Sequence, residues 1–162
     1  MSNKAVFLDR DGTIIFDHGY IKEPSLVNVL PKAKDAIDVL KKAGFMIFIV
    51  TNQSGVGRGM MSTSDVDNVN KELLNKLSPN SIQDVLICYH APQDNCNCRK
   101  PKTGLIDTVI KKYNIDTKHS YSIGDKDSDK ELGKNIGGKG IKLGEKGIKD
   151  LWDAAILISS KR

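Results

Sequence analysis

The chain has 162 residues, of which 39% are hydrophobic and 6% aromatic, and its formal net charge is +5. This length allows one hydrophobic core, so we expect one domain over residues 1–162, and we expect a monomer. Met1–Lys4 is polar, Ala5–Leu8 is too short for the apolar part of a signal peptide, and no apolar run reaches membrane-spanning length. We therefore expect a cytoplasmic protein without a membrane partner.

The positive charge has two interpretations. A nucleic-acid-binding surface is one, but the lysines are scattered along the whole chain and aromatic residues are too few for a stacking platform. A Lys-rich solvated surface is the interpretation we favour, and its mild positive field would also suit an anionic substrate. Charge alone does not separate these interpretations, but the scattered lysines and the few aromatic residues lead us to expect no nucleic-acid partner.

Short apolar runs alternate with amphipathic stretches along the chain. The apolar runs predict strands at Ala5–Leu8, Phe45–Val50, Ile82–Cys88, Ser120–Ile123, Ile141–Leu143 and Ala154–Ile158. The amphipathic stretches predict helices over Lys32–Ala43, from an N-cap at Ser62 to near Ser78-Pro79, over Gly104–Tyr113 and over Ser128–Ile136. This alternation predicts a Rossmann-like α/β fold, with a parallel sheet covered by helices on both faces. In such folds, ligands bind beyond the carboxyl ends of the strands.

The first polar motif, Asp9-Arg10-Asp11-Gly12-Thr13, directly follows the first predicted strand. A carboxylate such as Asp9 can attack phosphorus and divide hydrolysis into two steps. A second acid two residues later, Asp11, can protonate the leaving oxygen and then deprotonate water. Gly12 allows the tight turn that this spacing needs. For this motif alone, a polar turn that caps a strand is an equally good interpretation.

Two further motifs could bind a phosphoryl group. Val50-Thr51-Asn52 ends the second predicted strand, where a hydroxyl or backbone N–H could bind a phosphoryl oxygen. In Arg99-Lys100-Pro101, an ammonium group could neutralise phosphoryl charge and hold the nucleophilic carboxylate in place. Taken singly, a strand cap and a solvated basic loop explain these two motifs better.

The fourth motif, Gly124-Asp125-Lys126-Asp127-Ser128-Asp129, follows the fourth predicted strand. Mg²⁺ prefers hard oxygen ligands and usually keeps several waters, and Asp9, Asp125 and the backbone carbonyl of Asp11 would form such a site. The metal would offset the repulsion between the nucleophile and an anionic substrate. The alternative is a helix N-terminus that is acidic because of the helix dipole.

Together, the four motifs occur in order, each at the carboxyl end of a predicted strand. DxDGT, hydrophobic-Thr-Asn, Lys and GDxxxD in this order resemble the signature of the haloacid dehalogenase (HAD) phosphatases, over about Ala5 to Gly140. The resemblance implies the HAD fold and a phosphorylated small molecule as the substrate. The short stretch from Gly12 to Pro31 leaves no room for a large cap domain. The resemblance also implies functional roles for particular residues: Asp9 as nucleophile, Asp11 as general acid/base, Thr51 and Lys100 on the phosphoryl group, and Asp125 on magnesium.

All three cysteines of the chain and one histidine lie within eleven residues: Cys88, His90, Cys96 and Cys98. Three cysteines and a histidine are a common tetrahedral zinc set, and four protein ligands would leave no open position, so we predict a structural zinc site. A disulfide is disfavoured by the odd cysteine count and by the expected compartment. Three unrelated thiols are the other alternative. A zinc-bound loop would fix Arg99 and Lys100 over the active site.

The cysteine loop, residues 88–98, narrows the resemblance to two groups within the HAD phosphatases. Asp17-His18-Gly19-Tyr20, Thr51-Asn52-Gln53-Ser54-Gly55 and the CxH…CxCRKP loop closely resemble D-glycero-D-manno-heptose 1,7-bisphosphate phosphatases, and are similar to histidinol-phosphate phosphatases. The resemblance implies a substrate site lined by Asp17, His18, Gly19, Tyr20, Thr51, Asn52, Gln53, Ser54, Arg99, Lys100 and Lys126. Arg58 could reach a second, distal phosphate, although an exposed loop cation is an alternative interpretation.

The substrate remains open between two groups. The segments Asp17–Tyr20 and Thr51–Gly55 favour the heptose group, whereas the five-residue spacer between His90 and Cys96 and the Lys102-Thr103-Gly104 segment depart from it. We give the two segments more weight because they would contact substrate. A polynucleotide 3′-phosphatase would share DxDGT but would not require the cysteine loop. A non-catalytic zinc adaptor would not require the intact motifs.

Overall fold

The structure is a computed structural model that describes residues 2–161. Within these residues, five parallel strands form one sheet in the order β3-β2-β1-β4-β5. The strands are β1 (Lys4–Leu8), β2 (Phe45–Asn52), β3 (Asp84–Cys88), β4 (Tyr121–Gly124) and β5 (Lys139–Lys142). This sheet and the helices on both of its faces confirm the predicted fold class.

In the described part of the chain, six α-helices connect and cover the strands. They are α1 (Ala33–Lys42), α2 (Ser54–Gly57), α3 (Thr63–Lys76), α4 (Gly104–Lys112), α5 (Asp127–Asn135) and α6 (Leu151–Ser159). The predicted N-cap of α3 is confirmed, because Ser62 Oγ accepts a hydrogen bond from Asp65 N at 3.0 Å and the Asp65 carboxylate accepts one from Ser62 N at 2.8 Å. Among residues 2–161, none of these helices combines the length and the apolar character needed to cross a bilayer.

The core lies on both faces of the sheet, as the alternation of side chains along β1 requires. Val6 and Leu8 point to the face covered by α1, α3 and α6, whereas Ala5 and Phe7 point to the face covered by α4 and α5. Both faces of the central strands are therefore buried, which explains why the strands read as continuous apolar runs.

The predicted strand Ala154–Ile158 is wrong, because this segment lies within α6. The buried residues Leu151, Ala154, Ala155 and Ile158 have helical spacing, and Asp150 caps the helix by accepting a hydrogen bond from Asp153 N at 2.9 Å. Ile156 and Leu157 face solvent instead of a sheet. The run of apolar residues therefore marks a helix that packs on α1. The short helix α2 was not predicted.

The direction of the chain across the sheet reverses at β1. From β1, one branch continues through β2 to β3, and the other through β4 to β5, so the switch point lies between β1 and β4. Ligands of parallel α/β sheets bind beyond the carboxyl ends of the strands at such a point. Asp9 and Asp125 follow these two strands directly.

Candidate active site

The four sequence motifs meet at the carboxyl edge of the sheet. Asp9 follows β1, and its backbone N–H donates to the carbonyl of Ile123 in β4 at 3.0 Å. Because β1 lies between β2 and β4, Asp9 is flanked by Thr51 and Asn52 on one side and by Asp125 on the other. The topology thus brings together residues that are more than a hundred positions apart in the sequence.

Lys100 reaches into this edge from the loop after β3. Its ammonium donates to Asp9 Oδ1 at 2.8 Å and to Asp129 Oδ1 at 2.7 Å, and the lysine is buried. Asn52 fixes the loop, since its Oδ1 accepts a hydrogen bond from Lys100 N at 3.1 Å. The predicted contact between Lys100 and the carboxylate of Asp9 is therefore present in the structure.

Asp9, Asp125 and Asp129 form an acidic cluster, and burial and mutual repulsion dominate its electrostatics. Burial raises the pKa of Asp125 to about 6, and the neighbouring Asp9 carboxylate adds to this effect. Burial and Asp9 also raise the pKa of Asp129 above its usual value, against the effect of Lys100. For Lys100, burial alone would lower the pKa, but Asp9 and Asp129 outweigh it and raise the pKa. Three carboxylates thus lie beside one buried ammonium, which contacts two of them, Asp9 and Asp129, and this excess of negative charge favours a bound cation.

The acidic cluster suits a magnesium ion. Acceptor atoms of Asp9, Asp125 and Asp129 lie within 4.8 Å of one another. The part of the chain that the structure describes gives no hydrogen-bond partner to Asp9 Oδ2 or Asp125 Oδ1, although both atoms are buried. Asp129 is different, because its two oxygens accept from Lys100 and from the backbone N–H of Lys126. Two free, hard oxygen atoms at the switch point are the donors that Mg²⁺ prefers.

Asp11 is turned away from this cluster and towards Arg10. The guanidinium of Arg10 donates to both carboxylate oxygens, from Nε at 3.0 Å and from Nη2 at 3.2 Å. Gln53 Nε2 also donates to Asp11 at 3.1 Å and to the hydroxyl of Thr51 at 2.7 Å. The Asp11 side chain is therefore outside the acidic cluster, and its backbone carbonyl as a magnesium ligand stays a prediction.

A cavity of about 480 Å³ opens over the carboxyl edge. It is lined by Asp11, Asp17, Gly19, Tyr20, Asn52, Gln53, Ser54, Arg58, Arg99, Lys100, Lys126 and Ser128. This wall contains most of the substrate residues that the resemblance implies. Two of them lie elsewhere: Thr51 is buried beneath Gln53, and His18 borders a separate groove, where its Nε2 is 3.2 Å from the amide nitrogen of Asn28. Ser128 joins the wall without having been predicted.

The cysteine loop forms a compact cluster of possible zinc ligands. Cys88, His90, Cys96 and Cys98 place their ligand atoms within 4.8 Å of one another, and the three cysteines are free. Cys88 Sγ lies 3.6 Å from Cys96 Sγ and 3.6 Å from His90 Nδ1, close to the edge of about 3.8 Å that a tetrahedral zinc site with sulfur ligands has. Two separations are shorter, 2.9 Å for Cys88–Cys98 and 3.2 Å for His90–Cys98. The donor set and its spacing fit zinc.

The cysteines differ in acidity when no metal is bound. Burial raises the pKa of Cys88 to about 12, and the thiol of Cys98 acts in the same direction. At Cys96, burial also raises the pKa, but the backbone N–H groups of Cys98 and Arg99 outweigh it and lower the pKa to about 6. Metal binding requires thiolates, so a zinc ion would displace protons from this cluster.

The cysteine loop is connected to both sides of the cavity. Gln53 N donates to the carbonyl of Cys88 at 2.7 Å, and Gly57 N donates to the carbonyl of Tyr89 at 2.9 Å. On the other side, the loop leads directly into Arg99 and Lys100, and Lys102 Nζ donates to the carbonyl of Cys96 at 2.7 Å. A change in the conformation of this loop would therefore move Arg99 and Lys100, two cations of the cavity wall.

Besides Ser128, three residues at or beside the site were not predicted as functional. Asp129 belongs to the GDxxxD motif, so its signal was present, but its contact with Lys100 was not foreseen. Arg10 and Asn70 form a buried hydrogen bond, from Nη1 to Oδ1 at 2.8 Å, across sixty positions of sequence. No sequence pattern signals this pair.

Comparisons with known proteins agree with the geometry. The family described as polynucleotide kinase 3 phosphatase matches residues 4–142. A Thermoplasma volcanium protein named "Probable D-glycero-D-manno-heptose-1,7-bisphosphate 7-phosphatase" is 40% identical over 136 residues, which cover 82% of this chain and 93% of that protein. The chain belongs to the HAD phosphatases. The predicted enzyme class, a phosphoric monoester hydrolase, is therefore confirmed.

Two further similarities place this phosphatase among its relatives. The crystal structure of D,D-heptose 1,7-bisphosphate phosphatase from B. bronchiseptica, complexed with magnesium and phosphate, has a TM-score of 0.87 and 25% identity, covering 98% of this chain and 99% of that one. The histidine biosynthesis bifunctional protein HisB of Campylobacter jejuni is 37% identical over 156 residues, which are 93% of this chain. The chain spans only 44% of the length of that protein.

Proposed function

We propose that this phosphatase removes the 7-phosphate of D-glycero-D-manno-heptose 1,7-bisphosphate, with Mg²⁺ and through an aspartyl phosphate on Asp9. The observation that carries the proposal is the cationic wall of the cavity, where Arg58, Arg99, Lys100 and Lys126 converge. One phosphoryl group at Asp9 would engage Lys100, which leaves the other cations for a second phosphate. The Thermoplasma and B. bronchiseptica proteins support the same substrate.

Arg99 supports an anionic ligand in particular. Its Nη1 atom is buried at the cavity, and within residues 2–161 it has no hydrogen-bond partner. An unpaired guanidinium nitrogen that is removed from water is costly unless a ligand satisfies it. A phosphate oxygen matches this donor in charge and geometry.

In the first step, the Asp9 carboxylate attacks phosphorus, the bond from phosphorus to the sugar oxygen breaks, and Asp11 gives that oxygen its proton. In the second step, Asp11 takes a proton from water as the water attacks phosphorus, and the bond to Asp9 breaks. Lys100 stabilises the phosphoryl oxygens. The hydroxyl of Thr51, which is buried beneath Gln53, holds the Gln53 side chain at the edge of the site. When bound by Asp9, Asp125 and the Asp11 carbonyl, Mg²⁺ would offset the repulsion between the nucleophile and the phosphate.

The cysteine loop contributes to selectivity in this proposal. With zinc held by Cys88, His90, Cys96 and Cys98, the loop would present Arg99 and Lys100 in a fixed orientation. This matters because the loop itself has few buried apolar residues: between Cys88 and Lys100, Ala91 is the buried one. The metal would thus replace a hydrophobic core in this segment.

Histidinol phosphate is the second candidate substrate, favoured by the HisB similarity and by the short spacer between His90 and Cys96. It has one phosphate, whereas the heptose bisphosphate has two. A second charge-assisted contact is worth about 1.5–3 kcal/mol, which corresponds to about tenfold to a hundredfold in kcat/KM.

The test is phosphate release with Mg²⁺ from both anomers of heptose 1,7-bisphosphate, from histidinol phosphate and from a 3′-phosphorylated oligonucleotide. We expect kcat/KM for one heptose anomer to exceed that for histidinol phosphate by about tenfold to a hundredfold. Arg58→Gln should reduce this preference, whereas Lys71→Gln, which removes an exposed charge of α3 outside the cavity, should not. A preference for histidinol phosphate or for the oligonucleotide would overturn the heptose assignment.

A further inference from the structure

Among residues 2–161, Arg10 is the largest fully buried side chain, although it carries a charge. It lies between Asp9 and Asp11 in the sequence, yet it neither belongs to the acidic cluster nor lines the cavity itself. Burying a guanidinium costs several kcal/mol unless hydrogen bonds and an opposite charge compensate for it. The compensation here comes from Asp11, whose two carboxylate oxygens accept a bidentate pair of hydrogen bonds from Nε and Nη2 of Arg10.

The third guanidinium nitrogen is held from a different part of the chain. Arg10 Nη1 donates to Asn70 Oδ1 at 2.8 Å. Asn70 is buried on α3, among Val66, Val69 and Leu73, where an apolar side chain would suit the core better. Its amide nitrogen, Nδ2, is buried and finds no partner in residues 2–161, which costs about 1–3 kcal/mol. The asparagine is therefore unfavourable for packing, and its visible role is to orient Arg10.

Asp11 thus receives hydrogen bonds on both oxygens from donors that cannot shift independently. Arg10 is fixed by Asn70, and Gln53 is fixed by its second hydrogen bond, to Thr51. Asp11 nevertheless lines the cavity and its side chain is 13% exposed, so its carboxylate can meet a substrate oxygen. A general acid must lie at one place relative to the leaving oxygen, because a displacement of about 1 Å can reduce the rate about a hundredfold.

We propose that Arg10 and Asn70 are positioning residues for Asp11: Asn70 orients the guanidinium of Arg10, and this guanidinium holds the Asp11 carboxylate for proton transfer to the leaving group. The inference rests on the proposed function, since it takes Asp11 as the general acid. It assigns a catalytic consequence to a helix residue that does not border the cavity.

Leaving-group dependence separates positioning from a structural role. The sugar oxygen of heptose bisphosphate needs a proton as it leaves, whereas the p-nitrophenolate of p-nitrophenyl phosphate leaves without one. The parameter to compare is kcat/KM, because it reports the steps up to formation of the aspartyl phosphate and excludes the later hydrolysis, in which Asp11 acts as base.

Asn70→Leu is the main variant, and Asn70→Asp is its matched control. Leucine keeps the size and suits the apolar face of α3, but leaves Arg10 Nη1 without its acceptor. Aspartate keeps an acceptor oxygen at the same place. For Asn70→Leu, we expect kcat/KM for heptose bisphosphate to fall about tenfold to a hundredfold and that for p-nitrophenyl phosphate to change little. Asn70→Asp should stay close to the wild type with both substrates.

Arg10→Lys provides a second test if Asn70→Leu does not fold. A lysine has no planar fork, so the same selective loss is expected. Equal losses with both substrates, or no loss with either, in a folded variant would overturn the inference. A wild-type enzyme that hydrolyses p-nitrophenyl phosphate but not the heptose bisphosphate would contradict the proposed substrate alone. The positioning role would then be tested with the best alkyl phosphate substrate. A wild type inactive on every phosphate ester would overturn both proposals.

Discussion

Gly12 packs against the Asp125 side chain so closely that no Cβ fits between them. Replacing Gly12 with alanine is therefore a sharp test of the magnesium site. Its φ is +83°, and an added Cβ would overlap Asp125 Oδ2 and lie 2.7 Å from Asp125 Cγ. Gly144 is a matched control, because its φ is +95° and its added Cβ would meet nothing within 4 Å. Both substitutions force an alanine into the left-handed backbone conformation, but only Gly12→Ala displaces Asp125, a proposed magnesium ligand.

The shared backbone cost is about 1–2 kcal/mol, which lowers the unfolding temperature of a chain of this size by about 2–8 °C. Mg²⁺ at about a hundred times its Kd adds about 2.7 kcal/mol to the stability of the wild type, or about 5–10 °C. We expect Gly144→Ala to keep this magnesium-dependent increment and Gly12→Ala to lose it, since Asp125 can no longer occupy its place.

The assay is thermal unfolding with and without Mg²⁺, together with phosphate release from the best substrate. Turnover of Gly12→Ala should fall at least about a hundredfold, consistent with a displaced group in the site. If Gly12→Ala gains as much stability from Mg²⁺ as Gly144→Ala and has the same turnover, Asp125 does not hold the metal at this place.

Two other predictions concern the metal sites. Burial and Asp9 raise the pKa of Asp125 to about 6 in the folded, metal-free protein. Folding without metal is therefore favoured at low pH, where Asp125 is protonated, and this contribution to stability is lost as the pH rises through about 6. Mg²⁺ needs the ionised form, so its stabilising increment should grow between about pH 5 and about pH 7, and an increment that is constant with pH would contradict this. Cys96→Ser should lower the zinc content, the unfolding temperature and the turnover together. The loss of stability should be about 2.7 kcal/mol where zinc is at about a hundred times its Kd. Metal analysis and calorimetry measure these changes, and a strong chelator should reproduce them in the wild type. Unchanged stability after zinc loss would show that the loop does not depend on the metal.

The arrangement of the motifs was predictable because strand ends and polar turns are local features. An apolar run followed by Asp9 or by Asp125 marks the end of a parallel strand, and the topology of α/β sheets brings such ends together. The cysteine loop was predictable for a similar reason, since all four possible ligands lie within one short segment.

Other features depend on contacts that a single sequence does not encode locally. The segment Ala154–Ile158 is apolar enough for a strand, and only its packing on α1 makes it a helix. α2 is a single turn with no periodicity to detect. The pair of Arg10 and Asn70 joins a strand end to the middle of α3, so its hydrogen bond exists only in the folded chain. His18 follows Asp17 in sequence but turns to a different groove.

Chemical trapping tests the central claim most directly, namely that Asp9 carries the phosphoryl group. The enzyme with Mg²⁺ and heptose 1,7-bisphosphate would be quenched in acid during turnover, reduced with borohydride and digested for mass spectrometry. Because borohydride reduces an aspartyl phosphate to homoserine, we predict homoserine at position 9, and none without substrate or in Asp9→Asn. Turnover that leaves Asp9 unmodified while another residue is reduced, or turnover that persists in Asp9→Asn, would contradict the account.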